Sequence, residues 1–136
     1  MVAHDLYKMS GNTGSLRYMA PEVALSQPYN HLVDVFSFGI LLWQMCSLET
    51  PFATYNVQRH AERVVRGGER PPLDVKKWSV ELCGLIMRCW STDIRGRPHF
   101  AEVGAALRAE FNPYLGESEG DLLDISNKTA KSLEGN

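Results

Sequence analysis

The clearest hydrophobic pattern in the chain lies between residues 82 and 90. Apolar residues recur there at the spacing i, i+3, i+4, i+7 and i+8, as Leu82, Leu85, Ile86, Cys89 and Trp90. This spacing places them on one face of an α-helix, and Ser79 precedes them where a helix-capping residue is favoured. The sequence therefore predicts a helix that begins after Ser79 and packs this apolar face against a core.

A second apolar stretch, from Asp34 to Cys46, is hydrophobic on nearly every side. A helix of that composition is surrounded by protein, and Pro51 ends any continuation. We predict that this stretch forms the central helix of the fold. Asp34 opens it, where a carboxylate can accept hydrogen bonds from unpaired backbone N–H groups as an N-cap.

Three further helices are predicted from weaker patterns, at Pro21–Leu25, Asn56–Arg66 and Phe100–Phe111. The first begins with proline, which is favoured at the first helical position, and the other two carry apolar residues at helical spacing. In the second these residues are Val57, Ala61, Val64 and Val65, and in the third they are Phe100, Val103, Leu107 and Phe111. Residues 1–18 are polar and rich in glycine, which predicts a loop. No segment of the sequence has the pattern of paired β-strands, so the predicted fold class is all-α.

The composition changes after residue 112. Residues 113–136 are dominated by Gly, Ser, Glu, Asp and Lys, and a segment with so few large apolar residues buries too little surface to offset its ordering entropy. We therefore predict one domain over residues 1–112 and a mostly disordered tail over residues 113–136. The alternative is that Leu122, Leu123 and Ile125 dock on a partner.

The charge balance excludes some classes of partner. Fourteen Lys and Arg residues against sixteen Asp and Glu residues leave a formal net charge of -2, and no long basic run is present. Nucleic acid is therefore not an expected partner. No secretory signal is visible, and the most apolar run is far short of the roughly 20 residues that span a bilayer. Association with a membrane is not expected either.

The spacing of the cysteine and histidine residues indicates neither a metal site nor a disulfide framework. The three cysteines, Cys46, Cys83 and Cys89, include no CxxC pair, so we predict buried thiols in a reducing compartment and a cytoplasmic location. The histidines that could bind a metal share no spacing with cysteines or carboxylates; they are His31, His60 and His99. No metal site is predicted.

Four separated motifs follow one another along the chain. They are Gly14–Glu22, which ends in Met19-Ala20-Pro21-Glu22; Asp34-Val35-Phe36-Ser37-Phe38-Gly39; Pro51-Phe52; and Cys89-Trp90 followed by Asp93 and Arg97-Pro98. In this order they resemble the end of a protein kinase activation segment and the C-lobe helices that follow it. An isolated Ala-Pro-Glu is unspecific, whereas four motifs in family order are specific. The resemblance covers residues 7–111 and implies a partial kinase domain, the C-terminal part of the C-lobe, over residues 1–112.

The resemblance implies structural anchoring roles for Glu22, Asp34 and Arg97. In the family, Glu22 and Arg97 would form an ion pair, and a planar guanidinium that holds a carboxylate with two hydrogen bonds can tie distant segments together. The alternative is two unrelated surface charges. Asp34 would hold the backbone of the catalytic loop, in addition to any capping role.

Ser15 lies where the family places the hydroxyl residue of the P+1 loop, which docks the substrate. The resemblance therefore implies that Ser15, Leu16 and Arg17 contact a protein substrate; the alternative is that Ser15 is only a turn residue. A hydroxyl there favours a Ser/Thr kinase, and the Cys-Trp…Arg-Pro motif is shared with tyrosine kinases. Together they indicate the tyrosine-kinase-like group, with tyrosine specificity left open.

Ser10 and Thr13 lie where the activation loop would end. A phosphate added there can order a segment against arginine side chains, so both are candidate regulatory phosphorylation sites. The alternative is that both remain unmodified, as most exposed hydroxyl residues do.

The motifs that carry out phosphoryl transfer in kinases are missing from the sequence. These are the Gly-rich loop, the strand lysine, the catalytic-loop Asp and Asn, and Asp-Phe-Gly. His4-Asp5-Leu6 lacks the arginine and the following asparagine of a catalytic loop. The chain alone is therefore predicted to have no catalytic residue, to bind no cofactor and to be inactive.

ATP and Mg²⁺ are the cofactors expected of the intact family domain. The expected partners are a protein substrate and the missing N-terminal part of the kinase. We favour a kinase fragment, because the start cuts through a functional segment. The alternative is a truncated, non-catalytic interaction module that uses the Asn56–Arg66 helix and the tail.

Overall fold

A computed structural model describes residues 13–112, and all regular structure in this range is helical. The helices of this range are α1 (Thr13–Leu16), α2 (Pro21–Ala24), α3 (Leu32–Ser47), α4 (Val57–His60), α5 (Val80–Cys89) and α6 (residues 100–112). A π-helix, Ala61–Arg66, continues α4 directly, and a 3-10 helix, Ile94–Gly96, precedes α6. The predicted all-α fold is confirmed for these residues. The predicted tail lies outside the described residues.

Helix α3 forms the centre of the fold, as predicted. Val35, Phe36 and Ile40 on this helix are at most 1% exposed. The prediction of Asp34 as the N-cap is wrong, because the helix begins two residues earlier and the Asn30 Oδ1 atom accepts the Leu32 N–H at 3.0 Å. Asp34 lies instead in the first turn, where its negative charge is favourable near the positive end of the helix.

Helix α5 packs against α3 through the apolar face that the sequence predicted. The five residues of this face are between 0% and 8% exposed. The Ser79 hydroxyl oxygen accepts the Leu82 N–H at 3.0 Å, so the predicted cap is also confirmed. Trp43 on α3 donates its indole N–H to the Pro72 carbonyl at 2.7 Å, which holds the extended Pro71-Pro72 stretch against the core.

The other predicted helices lie where the sequence placed them, but some of their apolar residues are more exposed than the pattern suggests. Asn56 caps α4 by accepting the Arg59 N–H at 2.8 Å, yet Val57 is 39% exposed instead of lying in the core. On α6, Val103 is buried while Phe100 and Phe111 at its two ends are 48% and 43% exposed. Each helix therefore contacts the core with a shorter segment than its apolar pattern suggests.

Two further predictions are corrected. Residues 13–16 were expected to be part of a loop, but they form α1, because Leu16 is only 5% exposed and this single turn packs against α4. The three cysteines were all expected to be buried, whereas Cys46 is only half-buried. Its position near the end of α3, where Met45 and Leu48 are exposed, explains the difference.

Candidate functional site

The segment from Ser15 to Glu22 combines α1, a turn and α2, and it is fastened to α3. The Ser37 hydroxyl donates to the Tyr18 carbonyl at 2.7 Å and also contacts the Val33 carbonyl of its own helix at 3.2 Å. The Tyr18 hydroxyl donates to the Gln44 side-chain oxygen two turns further along α3. The first contact holds the Tyr18 backbone, and the second holds its side chain, against a buried helix.

Three residues of this segment were predicted to contact a protein substrate, and their side chains have different exposures. Ser15 is exposed and Arg17 is half-buried. Leu16 is 5% exposed, so in this conformation its side chain supports the segment from below. Only Ser15 and the outer part of Arg17 therefore face solvent here.

The predicted ion pair between Glu22 and Arg97 is present. Arg97 Nη1 lies 2.5 Å from Glu22 Oε1, and Nη2 lies 2.9 Å from Oε2. The guanidinium also donates to the Leu32 carbonyl at 3.2 Å and, through Nε, to the Ser91 carbonyl at 2.9 Å. The Arg97 residue is 4% exposed and Glu22 is 5% exposed. Such a desolvated, fully hydrogen-bonded pair fixes α2 relative to the start of α3 and the loop before α6.

A second arginine, Arg70, lies beside this pair and was missed by the sequence analysis. Its guanidinium carbon is 4.9 Å from the centroid of the Phe36 ring, and that of Arg97 is 5.2 Å from the same centroid. Arg70 Nε donates to the Trp90 carbonyl at 2.9 Å. Burial, followed by repulsion from Arg97, lowers the pKa of Arg70 to about 10, so the side chain remains charged at neutral pH. No local motif marks Arg70, because its partners include the Trp90 carbonyl and the Thr92 hydroxyl, which are 20 and 22 positions away in sequence.

His60, near α1, is a buried polar residue with an unsatisfied atom. His60 is 3% exposed, and its Nε2 atom has no hydrogen-bond partner among the described residues; the same holds for Nε of Arg17. Burial lowers the pKa of His60 to about 4, and the charges of Arg17 and Arg70 act in the same direction, while a hydrogen bond to the Leu16 backbone opposes them. His60 is therefore neutral at physiological pH and adds no charge beside α1.

An open groove of about 440 Å³ lies beside the first turns of α3. Its lining is mostly apolar and consists of Tyr18, Asp34, Ser37, Phe38, Leu41 and Phe100. Asp34 is exposed on this groove, and its carboxylate makes no hydrogen bond with any residue in the range 13–112. Its carboxylate is therefore free to accept hydrogen bonds from a segment seated in the groove.

Burial also affects the cysteine thiols of the described residues. Burial raises the pKa of Cys89 to about 11 and also raises the pKa of Cys46, so both thiols remain protonated. Within residues 13–112 no three side chains of the His, Cys, Asp or Glu type are grouped so as to hold a metal ion.

The two candidate phosphorylation sites fall at the edge of the described range. Ser10 lies outside the described residues, and Thr13 is the first residue of α1. Their modification remains a prediction.

The sequence matches the family described as protein tyrosine and serine/threonine kinase over residues 1–107. It is 44% identical over 101 residues to the serine/threonine-protein kinase VIK of Arabidopsis thaliana, covering 74% of this chain and 23% of that protein. It is 41% identical over 97 residues to the serine/threonine/tyrosine-protein kinase HT1 of the same plant, covering 71% and 25%. With the dual specificity protein kinase shkB of Dictyostelium discoideum the identity is 39% over 98 residues, covering 71% and 15%.

The chain thus spans about a quarter or less of the length of these relatives, which are 23%, 25% and 15% covered. Among the helices within residues 13–112, none has the length and apolar character needed to cross a membrane.

Proposed function

Because the chain belongs to the protein kinase family, in its tyrosine-kinase-like group, we propose that it is the substrate-docking and anchoring part of a kinase domain. The reaction of the whole domain would be ATP-dependent phosphorylation of protein serine or threonine. This chain would contribute the P+1 loop and the helices that support it. Tyrosine is a further acceptor in this proposal, because one similar kinase is named for all three residues.

The observation that carries this proposal is the bidentate ion pair between Glu22 and Arg97. It fixes the end of the docking segment to the loop before α6, while Ser37 holds the Tyr18 carbonyl from α3. A segment restrained at both points can present Ser15 to a peptide in a defined position. Such restraint reduces the entropy that is lost when the peptide binds.

In this proposal the chain itself holds neither magnesium nor ATP. No group of three metal-ligating side chains occurs in the range 13–112, and the sequence contains neither a Gly-rich loop nor Asp-Phe-Gly. In this proposal both ligands belong to the N-terminal part of a kinase domain, and the chain alone transfers no phosphate. Asp34 would contact the catalytic loop of that part, and the groove beside it would be covered by the same part.

The proposal is tested in a chimera in which this chain replaces the matching segment of the VIK kinase. We expect the chimera to phosphorylate a peptide substrate, and Ser15→Ala to raise KM for the peptide with little change in KM for ATP. Ser47→Ala is the matched control, because its hydroxyl accepts the Glu49 N–H at the far end of α3. An inactive but folded chimera, or equal effects of both substitutions, would refute the docking role.

A second candidate is a non-catalytic interaction module that uses the helix of residues 57–66 and the tail. The observation in its favour is that Arg59, Arg63 and Arg66 on this helix are all exposed. Both candidates share the claim that the chain alone is inactive. We expect calorimetric titration of the 136-residue chain with Mg-ATP to show no binding, and a phosphate-incorporation assay to show no autophosphorylation. Detectable binding of Mg-ATP or detectable autophosphorylation would overturn that claim. Activity of the chimera then separates the two candidates, since only the docking role requires it.

A further inference from the structure

Two exposed histidines that are 68 positions apart in sequence meet at the surface. His31 Nε2 lies 3.4 Å from His99 Nδ1, and the two ring centroids are 5.5 Å apart with their planes inclined by 28°. His31 is the residue before α3, and His99 is the residue before α6. The contact therefore joins the starts of two helices.

The distance between these two nitrogens is the one that a tetrahedral metal ion requires. Zinc binds imidazole nitrogen at about 2.0–2.1 Å, so two nitrogens at a tetrahedral angle lie about 3.3–3.4 Å apart. The observed 3.4 Å already matches this separation. Because the rings are nearly stacked, with planes inclined by 28°, both rings must rotate about their side-chain bonds before their in-plane lone pairs meet at one ion.

The backbones that carry the two histidines are already held together. Arg97, two residues before His99, donates to the carbonyl of Leu32, the residue after His31, at 3.2 Å. The His99 carbonyl accepts the Val103 N–H at 3.0 Å in the first turn of α6. Because these contacts fix the backbone at both histidines, little backbone entropy is lost when an ion brings the two ligands together.

We propose that His31 and His99 form a surface site for a borderline divalent transition ion, with Zn²⁺ as its representative. The site has two protein ligands, and because both side chains are exposed, water can fill the remaining positions. Its role is structural: a bound ion clamps the start of α3 to the start of α6 beside the Glu22–Arg97 pair. The inference does not depend on the proposed kinase function.

Binding requires that neither of the two facing nitrogens carries a proton. When the ion binds, both facing nitrogens offer lone pairs, so each neutral imidazole keeps its single proton on its other nitrogen, His31 Nδ1 and His99 Nε2. A ring whose facing nitrogen carries a proton moves it to the opposite nitrogen by exchange with water, and no redox step occurs.

The site is tested by calorimetric titration of the untagged 136-residue chain with ZnCl₂ and, separately, MgCl₂. We expect saturable binding of one Zn²⁺ per chain and none of Mg²⁺, which prefers oxygen ligands. At free zinc ten times the dissociation constant, the ratio of folded to unfolded protein should rise about 11-fold, seen as a higher melting temperature.

The variants His31→Ala and His99→Ala should each abolish both the binding and the thermal shift. His4→Ala is the matched control and should retain them. Absence of saturable zinc binding by the wild-type chain, or binding that survives in both single variants, would overturn the proposal. Since both side chains are exposed, circular dichroism without zinc should find all three variants as helical as the wild type.

Discussion

Arg97 holds both carboxylate oxygens of Glu22 although 75 residues separate the two in sequence. The Arg97 side chain is 0% exposed and that of Glu22 is 5% exposed, so neither charge has access to bulk water. The pair therefore differs from surface ion pairs, which contribute little to stability. Removing either partner leaves the other as a buried, uncompensated charge.

The first prediction concerns this pair. Glu22→Ala and Arg97→Ala should each lower the free energy of unfolding by about 3–5 kcal/mol, the cost typical of breaking a buried ion pair by removing one partner. Arg97→Lys should also destabilise, because an ammonium group cannot make two parallel hydrogen bonds to a carboxylate. Urea denaturation followed by circular dichroism measures these changes.

Arg95→Ala is the matched control for the ion pair. Arg95 lies two residues before Arg97 and pairs with Asp93 at 3.3 Å, but its side chain is 91% exposed. The urea midpoint of this variant should equal that of the wild type, since solvent screens the pair. If Arg97→Ala were as stable as Arg95→Ala, the anchoring role of the buried pair would be wrong.

The second prediction concerns the crossing of α3 and α5. A Cβ atom added at Gly39 would lie 2.7 Å from the Cβ of Cys89, so Gly39→Ala must push the two helices apart. We expect the free energy of unfolding to fall by about 1–3 kcal/mol, as in other overpacked cores.

Gly84→Ala on α5 is the control, because no heavy atom lies within 4 Å of its added Cβ. That variant should be unchanged or more stable by up to about 1 kcal/mol, since alanine favours helix. Equal melting temperatures for the two variants would contradict the close crossing.

Features of this chain that depend on local pattern were predictable from sequence. The apolar face from Leu82 to Trp90 and its Ser79 cap are set by residues within a few turns of one another, and both were predicted correctly. The Glu22–Arg97 pair is not local, and it was predictable only because the surrounding motifs resemble a family that has it. The sequence alone left two unrelated surface charges as an alternative.

Other features required the tertiary structure. Arg70 interacts with backbone carbonyls and an aromatic face, which have no sequence signature. His31 and His99 meet because the starts of α3 and α6 are adjacent in space, and their separation in sequence gives no spacing to recognise. The exposure of Phe100 also escaped prediction, because periodicity shows which face of a helix is apolar but not what covers it.

The third prediction concerns pH. The pKa of His60 is lowered to about 4 in the folded chain, whereas an unfolded histidine has its ordinary value of about 6.5. Below pH 6.5 the unfolded chain therefore binds more protons than the folded one at this residue. The free energy of unfolding should fall as pH decreases from about 6.5 towards 4 and should lose this dependence above about 6.5.

His60→Phe tests the assignment of this pH dependence. The phenyl ring keeps an aromatic group next to Phe52, whose ring centroid is 5.1 Å from that of His60, but it cannot be protonated. Urea midpoints measured between pH 5 and 7 should change less with pH in this variant than in the wild type. Equal slopes would mean that another group causes the acid sensitivity.

The fourth prediction concerns the groove beside α3. Leu41 is 44% exposed and lines this mostly apolar groove, so the chain alone should bind the hydrophobic dye ANS there. Leu41→Gln should reduce the ANS fluorescence while changing the free energy of unfolding by no more than about 0.5 kcal/mol. Val75→Gln, which changes a 74% exposed residue outside the groove, should leave the fluorescence unchanged. A similar decrease in both variants would show that the dye does not report on the groove.

The last prediction concerns the end of α3. Leu48 caps this helix in the left-handed conformation, with φ 59° and ψ 26°, and its N–H donates to the Gln44 carbonyl at 2.8 Å. A side chain with a Cβ atom is strained there, and Leu48 is 89% exposed, so its removal forfeits little burial. Leu48→Gly should therefore raise the free energy of unfolding by about 0.5–1 kcal/mol, after allowance for the greater freedom of glycine in the unfolded chain.

Leu48→Ala is the control, because it keeps the Cβ atom, and thermal denaturation should show no such gain in its stability. A lower melting temperature for the glycine variant than for the alanine variant would mean that the Leu48 side chain makes a stabilising contact that outweighs the backbone strain.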